Sequence, residues 1–453
     1  MRKLRLLDNH ISPSNARAPI IIGVVMLLAG CEGDVGPAGP QGETGVISVL
    51  DFIPKGLDTV THDCTSYIQE ALDSGQDIYF PPKTFLTAGP LLLRTSGQAL
   101  FGEGRITTTA TRCILTTVPL YEVSIRGLTL QNLGAANGGS NTATGIRSDA
   151  SSEGSAGFGR SDFLDLTLIG FGIGFSLDGV RGDDFGDPVL GPDGRNRILG
   201  CVVRNTLANV RIGSGGGHGI YMRGGYFQIA ENRIENMQGG MLLGESYGVV
   251  ANNMIINAFD DNGIYVSGGT SVSITSNYIE NTKADGIALS SCQRVSALGN
   301  TIINAGNGCF RVSDCKRIAI VGNNCRGIVT NTFIRGTASG SDAGGNEIII
   351  AQNVFQGPTT QTANPVVFVP ATTANRAISI TNNVFYDLDT LPLGSPSQGP
   401  YAIINIMDSL QGEPPIACVV RDNLFSAIQH VPGEPNAFIR GASDVSGNAY
   451  IYK

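Results

Sequence analysis

The chain has 453 residues, 42% hydrophobic, 15% charged and 7% aromatic, with 61 glycines, no tryptophan and a formal net charge of −8. Ordinary soluble domains carry about 25% charged residues and about 7% glycine, so the polar surface must come from Asn, Ser, Thr, Gln and Gly, which suits stacked strands better than helix bundles. With no basic run beyond the first few residues, the chain lacks a footprint for a phosphate backbone, and nucleic acid is excluded as an expected partner.

Arg2, Lys3, Arg5 and Arg17 make a positive start, and residues 20–30 are an apolar run of eleven residues, too short to span a bilayer. The run reads as the hydrophobic part of a signal peptide. Its end, Leu28-Ala29-Gly30-Cys31, resembles the bacterial lipobox. That resemblance implies a lipoprotein signal peptide over residues 1–30, with Cys31 acylated as the mature N-terminus. It also implies export to the bacterial cell envelope, with the membrane as partner through the lipid anchor, or else secretion. Two or more acyl chains suffice for stable anchoring. Glycines then recur at every third position, 33, 36, 39, 42 and 45, the spacing that lets three chains share an axis. Residues 31–46 are therefore a collagen-like linker, either seeding a homotrimer or serving as an extended spacer.

Residues 47–120 predict an N-terminal cap and the first coils of a stacked structure. Thr61 to Asp63 offer helix N-cap residues, Tyr67, Ile68, Ala71 and Leu72 repeat at helical spacing, and Gly75 stops a helix of about three turns. Short apolar stretches punctuated by Pro and Gly follow, through IYFPPKTFLTAGPLLL and QALFGEGRITT, and read as strands. The order VLDFIPKG…GEG resembles the opening of the pectate lyase-like right-handed β-helix superfamily of polysaccharide lyases, polygalacturonase-like hydrolases, epimerases and phage tailspikes. It implies an all-β fold, a single-stranded right-handed parallel β-helix with a short N-terminal capping helix.

Counting shows the repeat independently over residues 121–453. Asn209, Asn232, Asn253, Asn277, Asn300 and Asn323 are spaced by 23, 21, 24, 23 and 23 residues. Within each period a second Asn follows at Asn236, Asn257, Asn281 and Asn304, and a Gly–apolar pair comes next, at Gly219-Ile220, Gly240-Met241, Gly263-Ile264, Gly286-Ile287 and Gly308-Cys309. Each period is one coil, about 4.8 Å thick, whose inward Ile, Val and Leu side chains join those of its neighbours in one core. The Asn columns stack as amide ladders. Weaker coils carry Asn353, Asn383 and Asn423, with their excess residues looped out. The 44 residues from Asp165 to Asn209 imply an insertion near residues 178–197, whose Asp183, Asp184 and Asp187 lie on a surface loop, over a substrate groove or around a cation.

Cys292 and Cys315 each precede a ladder Asn by eight residues, so they occupy matching places on adjacent coils and are candidates for a disulfide. Cys309 reads as a core residue in the place of Ile264 and Ile287.

The turns between the second Asn and the Gly read SGGGH, MQG, AFDDN, TKAD and AGN. Stacked in register, they gather His218, Asp260, Asp261, Lys283, Asp285 and Asn307 on one side. Asp260 or Asp261 should lie one coil from Asp285, a carboxyl separation of roughly 5 to 9 Å that spans retaining and inverting glycosidase geometry. Crowded carboxylates split their pKa values, so one serves as acid and the other as base. His218, two coils and about 10 Å from Asp261, should reach it only through a long substrate or a tilted turn. Gly217-His218-Gly219 and Asp260-Asp261 are similar to elements of polygalacturonase-type hydrolases, in reversed order and without that family's Asn-Thr-Asp and Arg-x-Lys motifs. A lyase would use the same patch differently, with carboxylates binding Ca²⁺ as cofactor and Lys283 or His218 as base. The expected activity is cleavage of glycosidic bonds in an acidic extracellular polysaccharide, by hydrolysis or β-elimination. A non-catalytic carbohydrate-binding adhesin or tailspike-like protein, and a uronate epimerase, are the alternatives.

Overall fold

The computed structural model describes residues 45–134, 143–149, 157–179, 195–205, 217–327, 333–337, 347–357, 367–371, 377–386, 404–408, 418–428, 439–440 and 444–452. The signal peptide, Cys31, the collagen-like linker and Asp183, Asp184 and Asp187 lie outside these residues.

The described strands assemble into three parallel sheets of 15, 14 and 13 strands, beside a two-stranded parallel sheet of Pro119–Tyr121 and Gly157–Gly159, and from Asn196 onward each strand pairs with those three places away in the chain. One strand from each sheet makes a coil. Tyr226–Ala230, Arg233–Glu235 and Gly239–Gly244 form one, and Tyr247–Ala251, Met254–Ala258 and Ile264–Ser267 the next. Ile229 pairs with Val250, Ile234 with Ile255 and Met241 with Ile264, so inward side chains of successive coils meet in register. Parallel pairing needs a long crossover, and here the other two strands of the coil supply it. The resulting core is a continuous column that includes Ile198, Ile229, Val250 and Ile274, and a row of aromatic rings in which Phe355, Phe385 and Phe425 stack at centroid spacings of 5.0 Å.

Helix Thr65–Asp73 starts where Asp63 Oδ1 accepts the Thr65 N–H at 2.9 Å, and Gly75, at φ 71°, turns the chain away beyond its end. It buries Ile68, Ala71 and Leu72. Gln69 takes the place of a neighbouring strand, accepting the Leu92 N–H at 2.8 Å and donating to its carbonyl at 3.0 Å. The helix thereby blocks a sheet edge that would otherwise invite pairing.

The corner between the first and second sheets explains the Asn period. A residue at positive φ, such as Asn252 (56°) or Ser276 (55°), turns the chain, and the Asn that follows points inward. Each ladder amide donates to the next Asn Oδ1 and to a backbone carbonyl, and its own Oδ1 receives the preceding Asn N–H, as in Asn277 to Asn300 at 2.9 Å and to Val250 at 3.0 Å. The ladder runs from Asn232 through Asn253, Asn277, Asn300, Asn323, Asn353, Asn383 and Asn423 to Asn448. Asn236, Asn257, Asn281 and Asn304 form a second ladder on the opposite corner of the second sheet, all at positive φ. Asn300→Ala should lower the unfolding free energy by about 2–4 kcal/mol, because it strands buried donors and acceptors on both neighbouring coils. A denaturant midpoint unchanged from wild type would refute this.

Three expectations need correction. The coil before Asn232 places Cys201 at the ladder position, where its N–H meets Asn232 Oδ1 at 2.9 Å, and Asn209 lies outside the described residues. Accordingly the partner of Leu164 in the next coil is Leu199, which shortens the inferred gap. Cys309 is buried in the core as expected, but Gly308 pairs with Asp285 and Phe310 with Ile287, so it falls in the glycine column, opposite Gly286, one place from the expected one. Cys292 and Cys315 do occupy matching corners, with the Cys292 N–H donated to Cys315 Sγ at 3.4 Å, yet both are free thiols. Stacked positions keep their Cβ atoms about 4.8 Å apart, beyond the roughly 3.5–4.5 Å of a disulfide.

Candidate active site

The site forms where the second sheet turns into the third. Register along the first position of the third sheet runs His218, Gly239, Asn262, Asp285 and Gly308, one residue per coil. The turn of Asp260 and Asp261 is two residues longer than the preceding turn and one longer than the next, so Asn262, rather than either Asp, stacks on Asp285 and receives its N–H at 3.0 Å on Oδ1. The extra length pushes both aspartates outward from the column.

His218 and Asp261 meet across an intervening coil, with Nε2 and Oδ2 3.3 Å apart. The reach expected to need a tilted turn is made possible by a missing side chain. The coil between them carries Gly239, and a Cβ there would stand 2.6 Å from His218 Cδ2 and 2.8 Å from Nε2. The imidazole lies over this glycine, with its side chain only 6% exposed, while the Asp261 side chain remains 35% exposed. Asp261 Oδ1 also accepts the Asn262 N–H at 2.8 Å. Burial pushes the Asp261 carboxyl up, but the hydrogen bonds from His218 and Asn262 and the charges of His218 and Arg311 outweigh it, leaving the group below its ordinary value of 3.8.

Asp285 is placed differently. Its side chain is 0% exposed, and Oδ2 faces Arg335 Nη2 at 3.2 Å and Arg311 Nε at 3.6 Å. Burial raises its pKa, the two arginines pull it back, the Asp261 charge adds to the rise, and the net displacement is upward. Its Oδ1 has no hydrogen-bond partner. The two carboxyl groups are thus displaced in opposite directions, as crowding predicts.

Asp260 sits half-exposed beside them and accepts Gln238 Nε2 at 3.1 Å. Lys283 and Asn307 lie in the following turns, Lys283 fully at the surface and outside the buried cluster. Sequence reasoning missed Arg311 and Arg335, which follow the turns by several residues on the outward face of the third sheet. There the register column reads Tyr221, Leu242, Tyr265, Ala288, Arg311 and Arg335, and the Arg311 guanidinium lies over the Tyr265 ring at 5.4 Å. Alternation with the apolar Phe310 and Val312, both inward, would have put Arg311 on that face; nothing in the sequence tied Arg335 to it. Among the described residues, no group of three or more His, Cys, Asp or Glu side chains converges as a metal-ligand set.

The opposed shifts set a sign for stability against pH. The Asp261 contribution is present above its unfolded value near 3.8 and is lost as pH falls through the depressed folded value. The Asp285 contribution runs the other way, present below the unfolded value and lost as pH rises through the raised folded one. Asp285→Asn should therefore make the change in denaturant midpoint from about pH 4 upward more favourable than in wild type. Parallel profiles for the two proteins would contradict the assignment.

Residues 190–325 match the family model described as "Right handed beta helix region". No curated protein matches the sequence. Among solved structures, the catalytic domain of a GH87 α-1,3-glucanase in complex with tetrasaccharides superposes with a TM-score of 0.52 at 11% identity, covering 91% of this chain and 70% of that one. The catalytic unit of the GH87 α-1,3-glucanase from Streptomyces thermodiastaticus aligns at 0.42 with 14% identity, over 92% of this chain and 70% of that one. The surface protein and adhesin PfbA of Streptococcus pneumoniae aligns at 0.39 with 14% identity, over 76% of this chain and 98% of its own. The first superposition speaks to the fold. Together with the coil register and the family model, it shows that the chain carries a right-handed parallel β-helix fold.

Proposed function

We propose that the protein hydrolyses glycosidic bonds of a polysaccharide laid along the outer face of the third sheet. One observation carries this reading: Asp261 and Asp285, on neighbouring coils, have carboxyl groups displaced in opposite directions. Hydrolysis requires one group to protonate the leaving oxygen and a second, ionised group to activate water or attack the anomeric carbon. Asp261 is ionised, half-exposed and oriented by His218, which suits the second role. Asp285, disposed toward its neutral form, takes the first once a bound substrate draws Arg311 and Arg335 aside and opens its buried carboxyl group. Tyr265 and Tyr221 line the same face and offer apolar surfaces to sugar rings.

A second reading, β-elimination, is favoured by the Asp261–His218 pair standing near two fixed guanidiniums, since a base beside cations can remove the proton next to a uronate carboxylate. Incubating the full chain with neutral and acidic polysaccharides, with and without Ca²⁺, separates the two. New reducing ends without unsaturation support hydrolysis, and ultraviolet-absorbing unsaturated ends replace it with elimination. Changed uronate configuration without cutting replaces it with epimerisation. Binding without any product overturns the enzymatic reading in favour of an adhesin.

A further inference from the structure

Charge in the buried cluster does not balance. Two guanidiniums approach one carboxylate oxygen, Arg335 at 3.2 Å and Arg311 at 3.6 Å from Asp285 Oδ2, so the three side chains carry one positive charge in excess when Asp285 is ionised and two when it is neutral. Asp261, whose charge also acts on Arg311, is engaged by His218 and Asn262. Both arginines are partly open to solvent, with side chains 28% and 31% exposed, and the buried Nε of each has no hydrogen-bond partner. Asp285 Oδ1, an acceptor, is fully buried and likewise unpartnered. Desolvated donors without acceptors are costly in a folded chain. Two guanidiniums held on one carboxylate oxygen, each with part of its side chain open at the edge of the outer face, point to an anion that completes the cluster.

We infer that Arg311 and Arg335 form a subsite for an anionic group on the polysaccharide, a uronate carboxylate or a sulfate ester, two and three coils beyond Asp261. This rests on the polysaccharide reading above and names the class of polymer. Two guanidinium forks match the paired oxygens of either group. Both arginines are held in place before a ligand arrives, Arg311 against the Tyr265 ring at 5.4 Å and both against Asp285, and such preorganisation lowers the cost of binding. An anion that draws the guanidiniums toward itself also loosens their hold on Asp285. The group that recognises the substrate and the carboxyl group that protonates it are thereby linked.

The test is calorimetric binding of neutral, uronate and sulfated oligosaccharides of equal length to the full chain carrying Asp261→Asn, which prevents turnover. The anionic ligands should bind roughly tenfold to a hundredfold more tightly than the neutral one, with the advantage shrinking as salt rises. A preference for the uronate or for the sulfated ligand identifies the natural group. Arg335→Gln should abolish the preference, bringing the anionic ligands to the affinity of the neutral one. Because this variant weakens the compensation of a buried carboxylate, Arg335→Gln/Asp285→Asn is measured beside it. Equal affinity for all three ligands, or a preference that survives both variants, overturns the subsite. Cleavage is scored separately in the wild type. Cutting without anion preference removes the subsite alone, and anion preference without cutting removes the hydrolase reading alone.

Discussion

Asp261→Asn should reduce cleavage by about two to four orders of magnitude, the usual contribution of a positioned acid or base, while leaving the fold intact. The substitution preserves shape, and Asn262, which makes the coil-to-coil contact with Asp285, is untouched. What disappears is the negative charge that receives His218 Nε2 at 3.3 Å, and with it the group able to activate water or attack carbon. Initial rates of reducing-end formation on the best polymer, compared at matched thermal midpoints, measure the effect. His218→Ala should show a smaller loss, because it removes the partner that orients the carboxylate and leaves the carboxylate itself. An Asp261→Asn rate within a fewfold of wild type would move the chemistry elsewhere on the surface.

Gly239→Ala should disable the same pair without altering either member. The added methyl would lie 2.6 Å from His218 Cδ2 and 2.8 Å from Nε2, distances that a real side chain cannot keep, and a tight 3.3 Å from Asp261 Cβ. Gly239 is not among the glycines at positive φ, so its backbone accepts alanine and the imidazole must swing away. A loss of cleavage of roughly tenfold to a hundredfold is expected, with the melting midpoint nearly unchanged and polymer binding retained. The adjacent Gly240→Ala is the contrasting control. Its Cβ would fall 2.1 Å from the Gly263 carbonyl and 2.7 Å from Ile255 Cγ2, inside the stack, so it should lower the midpoint sharply. Full activity in Gly239→Ala would mean that the His218–Asp261 contact plays no part in turnover.

The ladder residues and the core were legible in the amino-acid sequence because each coil solves the same problem with the same residues. A positive-φ corner followed by a buried amide must satisfy the same donors and acceptors every 21 to 24 residues from Asn232 to Asn323, and inward positions must alternate to fill one column. Periodicity of that kind is local and additive, so counting finds it. It also brought His218, Asp260, Asp261, Lys283 and Asp285 to one side of the solenoid.

The site's geometry depended on features with no period. The longer turn of Asp260 and Asp261 put Asn262 into the column over Asp285 and moved the aspartates outward. The absence of a side chain at Gly239 let His218 cross a whole coil. Arg335, 50 residues beyond Asp285, arrived beside it because two coils separate them in space. The sequence by itself thus determined the coil, its amide ladders and the side on which the acidic turns gather, since those follow from repeated backbone satisfaction and burial. Only the tertiary structure decided which acidic group is buried, which is open and which cations face them, because turn length, a missing Cβ and cross-coil reach act between residues that no sequence spacing relates.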